Sequence, residues 1–243
     1  MTLREQSSYI IQQAINESLP GAAVVQALQE IHFDPSGGVY LVAAGKAAYE
    51  MAKKATETLG NRICDGVVIT KYGHDKGELS GVRTYEAGHP VPDENSYAAT
   101  AAVLELVSDL NEHDSVLFLL SGGGSALFEK PLIPHEEMAD ITKQLLACGA
   151  SIVEMNTLRK RLSAVKGGRF AECCLPAHVY SIVLSDIIGD PLDMIASGPA
   201  YPDSSTSEQA AAIAKRYGLQ LSPAAELCLQ KETPKELDNV TLM

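Results

Sequence analysis

Tryptophan is absent from this 243-residue chain, and aromatic residues make up only 5% of it. Its core must therefore be built from Ala, Val, Leu and Ile, which suit helices layered on a buried parallel sheet. Basic residues are also scarce: 19 Lys and Arg stand against 31 Asp and Glu, a formal net charge of −12. A surface of that sign repels phosphate backbones and anionic bilayers, which argues against a nucleic-acid or membrane partner. Among Cys64, Cys148, Cys173, Cys174 and Cys228 no C-x-x-C pair occurs. Neither a zinc site nor a disulfide framework is indicated, and reduced, mostly buried thiols are expected. No apolar stretch approaches about 20 residues and no signal-like start follows Met1, so a cytoplasmic location is expected. A Walker A motif is missing, as is G-x-G-x-x-G followed by a distant acid, which removes the best-known nucleotide fingerprints. Ser125 lies outside a G-x-S-x-G elbow because Leu127 takes the last place, so a serine hydrolase is poorly supported.

What is present alternates between short apolar runs and helical periodicity. Helices are predicted over Leu3–Leu19, Ala22–Ile31, Ala47–Leu59, Glu136–Cys148 and Leu158–Val165, with more after Thr206. Another helix enters at Asp93 as its cap, with Ala98, Ala102, Leu106 and Leu110 on its buried stripe. Strands are predicted at Val39–Ala43, Gly66–Thr70, Val82–Ala87, Val116–Leu120 and Val179–Leu184. This alternation predicts an α/β fold, a doubly wound and mostly parallel sheet of Rossmann-like topology with helices on both faces. Residues 1–230 form that domain. Residues 231–243 begin with the charged KETPKELDNV and are expected to be a linker and the start of a further, carboxyl-terminal domain missing here.

In open α/β sheets, ligands gather outside the carboxyl ends of the strands, which directs attention to four loops. Ser121-Gly122-Gly123-Gly124-Ser125 follows the Val116–Leu120 strand. Its three glycines let backbone N–H groups converge on an anion, with two serines as flanking hydroxyls. Gly45-Lys46 ends the first strand, and a cation placed before a helix start runs against the macrodipole unless a ligand anion compensates it. From Asn156 to Arg169 lie five of the 19 basic residues. There Arg159 and Lys166, seven apart, are predicted to stack on one helix face as a local positive field for a phosphorylated substrate. Ser185 to Asp190 places Asp186 and Asp190 just past a buried strand, where carboxylates bind Mg²⁺ or take a proton. Each loop also has an ordinary alternative: a tight turn, a solvated lysine, a solvated helix face, or an Asp-Pro bend. His89, in Gly88-His89-Pro90-Val91-Pro92-Asp93, is read as a structural histidine in a rigid loop.

The segments LVAAGKAAYEMA, GHPVPDENS, LFLLSGGGSAL, NTLRKRLSAVKGGR and VLSDIIGDPLDMIASGPAYPD together resemble the glycerate 2-kinase family, whose members are often labelled hydroxypyruvate reductase. The likeness runs from about Gly38 to Asp203. It implies transfer of the ATP γ-phosphoryl group to D-glycerate, usually giving 2-phosphoglycerate, with ATP and Mg²⁺ as cofactors. It further implies that Lys46 is the catalytic lysine and that Asp186 lies in the acidic signature, either orienting the hydroxyl or binding Mg²⁺ with Asp190. Ser121 to Ser125, Asn156, Arg159 and Lys166 would then serve substrate and phosphate. The active site would lie in a cleft against a second domain, and a homo-oligomer is compatible. Two other possibilities stay open: a non-catalytic or partner-dependent domain, and an NAD(P)-dependent reductase, which would need a dinucleotide fingerprint that no segment supplies.

Overall fold

In the computed structural model, all residues are described apart from positions 18, 186–188 and 190. The chain runs α1 (Leu3–Glu17), α2 (Gly21–Glu30), β1 (Val39–Ala44), α3 (Ala48–Leu59), β2 (Ile63–Lys71), β3 (Val82–Ala87), α4 (Glu94–Leu106) and β4 (Ser115–Ser121). It continues through α5 (Gly124–Leu127), α6 (His135–Ala147), α7 (Ile152–Leu162), α8 (Arg169–Cys173), β5 (His178–Leu184), α9 (Ser207–Tyr217), α10 (Pro223–Gln230) and β6 (Val240–Leu242). The described strands form one sheet in the order β3-β2-β1-β4-β5-β6, with every pairing parallel. That is the doubly wound arrangement, whose order reverses between β1 and β4, and the switch point opens a crevice at their carboxyl ends.

The pleat explains why the central strands read as unbroken apolar runs. Along β4, Val116, Phe118 and Leu120 face a core completed by α4, α5 and α8, while Leu117 and Leu119 face the opposite core under α2 and α3. Both faces are covered, so no position is left for a polar alternate. A third cluster, Met138, Ile141 and Leu145 of α6 with Leu158 and Leu162 of α7 and Ile213 and Leu229 beyond, makes a helical layer beside the sheet.

Several sequence expectations need correction. In α4 the buried residues are Ser96, Ala99, Thr100 and Val103, not Ala98 and Ala102. The Asp93 cap, confirmed by its reciprocal bonds with Ser96, starts the helix so that its apolar stripe lies one residue further on. Cys64, Cys148 and Cys173 are exposed, and Cys174 alone is buried. Helix α7 begins earlier and ends at Leu162, so Lys166 lies beyond it. The segment from 231, read as a linker leading out of the domain, carries β6, which pairs with β5 at Val179↔Val240 and Ser181↔Leu242. Composition misled there because an edge strand of three residues leaves little apolar signal.

What fixes that carboxyl-terminal segment is a buried charge cluster. The Lys160 ammonium lies 2.9 Å from Asp203 and 3.3 Å from Asp193, and Arg161 reaches Asp203 at 3.5 Å and Glu232 at 3.3 Å. Thr233 donates to Asp203 at 2.7 Å. Burial alone would raise the Asp203 carboxyl, but hydrogen bonds from Ser205, Thr233 and Lys160, with the Lys160 charge, hold it below the ordinary carboxylate range. Glu232 is likewise held down to about 2: desolvation opposes this, and hydrogen bonds from Lys235 and Ser207 outweigh it. A carboxyl whose folded pKa is depressed stabilises the fold above its unfolded pKa, and the contribution fades as pH falls toward the folded value. Asp203→Asn should therefore be clearly less stable than the parent at pH 7 in urea unfolding, and the gap should close below about pH 4. A gap independent of pH would show that shape, not charge, is what Asp203 contributes.

Candidate anion-binding site at the sheet switch point

Two strand ends are fastened together at the switch point. The Lys46 N–H donates to the Gly122 carbonyl at 2.9 Å, the Ala47 N–H to Ser121 Oγ at 3.0 Å, and the Gly45 N–H to the Ile69 carbonyl at 3.1 Å. Gly45 sits at φ +129°, and a Cβ there would lie 2.5 Å from the Ser121 carbonyl oxygen, so only glycine lets the β1 loop pass this close to β4. The buried Ser121 hydroxyl is thus engaged in this clasp, and Ser125 is the loop serine that lines open space.

The glycine-rich loop itself leaves donors unspent. Among the described residues, the N–H groups of Gly122, Gly123, Gly124 and Ser125 meet no acceptor, whereas the carbonyls of Gly123 and Gly124 receive Ala126, Leu127 and Phe128. Gly123 is left-handed at φ +92°, and a Cβ on it would stand 3.0 Å from His89 Cδ2 and 3.2 Å from Lys46 Cγ. Lys46 and the His89 imidazole therefore crowd the same glycine from the ends of β1 and β3. The Lys46 side chain and four amides without acceptors among the described residues share one corner of the switch point, and converging amides favour an oxyanion.

Beside it opens a cleft of about 510 Å³ lined by Gly122, Gly123 and Ser125, by Ile152, Asn156 and Arg159 of α7, by His89, and by Met194 to Ala196. Asn156 and Arg159 thus line the same cleft as the loop. The Arg159 guanidinium makes no hydrogen bond or ion pair among the described residues. Asn156 is buried and its Oδ1 accepts the Ser197 hydroxyl at 3.1 Å. Across the cleft, Ala196 (φ +50°) and Ser197 (φ +63°) are left-handed without being glycine. Such strain, about 1–3 kcal/mol per residue, persists only where the surroundings enforce it. A wider groove of about 1060 Å³ runs over the β2–β3 connection, but it meets none of these groups.

The remaining basic residues of the 156–169 stretch do not form a substrate field. Lys160 and Arg161 are consumed by the Asp203 cluster. Arg169 donates to the carbonyls of Lys160, Arg161 and Ser163 at 2.9, 3.1 and 2.7 Å, closing the end of α7. Lys166, expected to touch substrate, is 0% exposed and lies under the loop. Its ammonium donates to Ser125 O at 3.0 Å, Phe128 O at 3.1 Å and Ala196 O at 3.4 Å, with Glu129 at 3.6 Å. Desolvation lowers its pKa, with the Glu129 carboxylate opposing that shift. Lys166 is a positioning residue that ties the glycine loop to the left-handed turn at Ala196.

Asp186 and Asp190 lie outside the described residues, and no part of this geometry rests on them. Among the described residues no three His, Cys, Asp or Glu side chains converge on a metal-sized site. His89, read from the sequence as a structural histidine, lines the cleft beside Gly123. Its position at the end of β3 was legible, but its approach to Gly123 depends on the course of a loop, which periodicity does not report. Lys166→Met should lower stability by about 3–5 kcal/mol, because Glu129 is left buried without its cation. Urea unfolding checks this, and a change under 1 kcal/mol, typical of surface sites, would contradict the buried tie.

Comparison with known proteins agrees with this architecture. Residues 6–230 match the model of a domain of unknown function, DUF4147. D-glycerate 2-kinase of Thermotoga maritima is 53% identical over 243 residues, 99% of this chain and 58% of the relative. Glycerate 2-kinase of Pyrococcus horikoshii is 40% identical over 230 residues, 90% of this chain and 51% of the relative. The crystal structure of the Thermotoga maritima glycerate kinase superposes with a TM-score of 0.91 at 51% identity, covering 100% of this chain and 58% of that one. The chain thus spans little more than half the length of these relatives. It belongs to the DUF4147 family and, with it, to the glycerate 2-kinase family.

Proposed function

We propose that this chain is the phosphoryl-handling portion of an ATP-dependent kinase acting on glycerate, with 2-phosphoglycerate as the product. One observation carries the reading: four loop amides that meet no acceptor among the described residues sit at the β1/β4 switch point, next to Lys46. Phosphoryl transfer asks the protein mainly for alignment and for positive charge placed against the negative equatorial oxygens. Fixed amides supply this without reorganising during the reaction. In this scheme the loop N–H groups hold phosphate oxygens, and Lys46 neutralises the charge that grows on them. Asn156 and Arg159 orient the bound substrates from α7. Magnesium, when bound, screens the phosphate charge. Asp186 and Asp190 are the candidates to hold it, and no step here is routed through it.

The relatives named as kinases are longer, this chain spanning 58% and 51% of two of them, so the activity is proposed for a protein of their full length. The acidic surface, at net charge −12, suits small-molecule substrates in the cytoplasm better than nucleic acid. The dehydrogenase alternative finds no support at the first strand, where Gly45-Lys46-Ala47 replaces a dinucleotide fingerprint.

The test is kinetic. In a protein of the relatives' full length, ATP consumption should depend on D-glycerate, and Lys46→Ala should lower kcat by about 10²–10³-fold, the usual effect of deleting one transition-state charge contact. Chromatography of the product would assign the phosphorylated oxygen. Glycerate-independent ATP hydrolysis, or a Lys46→Ala variant of parental kcat, would refute the assignment.

A further inference from the structure

The cleft beside the glycine loop has a chemistry that the phosphate contacts do not use. Along α7, Ile152, Asn156 and Arg159 recur at i, i+4 and i+7 and so share one helix face, turned away from Leu158 and Leu162 in the helical core. Ile152 and its neighbour Val153 are 63% and 57% exposed, and both line the cleft. Opposite stand Pro191, Met194 and Ile195. Apart from Asn156 and Arg159 the two walls are apolar, and the main-chain donors left without acceptors among the described residues lie at one end, in the glycine loop.

We infer that this cleft holds the aromatic base and ribose of the nucleotide, with its phosphates directed to the glycine loop. The inference rests on the proposed kinase function and deepens it by assigning the two substrates to different places. Glycerate carries an oxygen on every carbon and gains nothing from apolar walls. A volume of about 510 Å³ falls in the range of clefts that bury a drug-sized ligand between apolar surfaces, with a few polar groups fixing its orientation. A nucleoside triphosphate has the matching polarity, an apolar planar body with an anionic tail. Arg159, carrying a charge that no described residue neutralises, stands where such a ligand passes from base to phosphates. Glycerate is left to the opposite side of the loop.

Titration calorimetry on the 243-residue chain separates the parts. ATP should bind at least 10-fold more tightly than inorganic tripolyphosphate. Val153→Asp should abolish that preference and leave tripolyphosphate affinity unchanged. Because Val153 is exposed, this variant should fold, and a parental melting temperature would verify it. Equal affinities for the two ligands would overturn the inference, as would a Val153→Asp variant that keeps the preference. Displacement of ATP by glycerate would also overturn it, giving the cleft to the acid. ATP binding that is sensitive to Val153→Asp but unaccompanied by tripolyphosphate binding would uphold the nucleoside cleft and count against the phosphate role of the loop. A chain that binds neither ligand would contradict both.

Discussion

The site depends on how closely two parallel strand ends can approach. β1 and β4 stay hydrogen-bonded one step past the sheet, through the Lys46 N–H and the Gly122 carbonyl, because Gly45 has no side chain to collide with Ser121. That contact brings a cation and a glycine loop together without any flexible linker. It also engages the Ser121 hydroxyl, and so decides that amides, more than hydroxyls, are what the loop can offer a ligand. From below, Lys166 joins Ser125, Phe128 and Ala196 through one buried ammonium. The loop is thus held from both sides while its N–H groups meet no acceptor among the described residues, which is the preorganisation that electrostatic catalysis requires.

An acidic protein handles its positive charge selectively. Of the basic residues between Asn156 and Arg169, Lys160, Arg161 and Lys166 are buried, and Arg169 closes the end of α7. Desolvating such groups is costly unless each finds carbonyls or carboxylates, and here each does. Their task is to lock α7, the 196–198 turn and the carboxyl-terminal strand into one frame. Arg159 lines the cleft, so from this stretch positive charge reaches it at one point and not as a broad field.

Much of this was legible in the sequence, and the reasons differ by element. The β4 run and the Leu158–Leu162 spacing announced themselves because burial on both faces, or on one helical stripe, leaves a periodic trace. The proximity of the glycine loop to Lys46 followed from the rule that ligand loops sit at carboxyl strand ends. Lys166 was misassigned because a lysine serving carbonyls under a loop looks, in sequence, the same as one facing substrate. The segment after 231 was misassigned because the partners of Thr233 and Glu232 lie about 30 and 70 residues earlier, at Asp203 and Arg161. Long-range charge pairing leaves no local pattern, and neither do left-handed alanine and serine at 196 and 197.

The central claim is that the loop amides are an open anion receptor, and amide NMR addresses it most directly. Titrating inorganic pyrophosphate into the ¹⁵N-labelled chain should move the Gly122, Gly123, Gly124 and Ser125 resonances together, along one saturable curve, with Lys46 following. Saturable binding that shifts amides elsewhere and leaves these four unchanged would contradict the account.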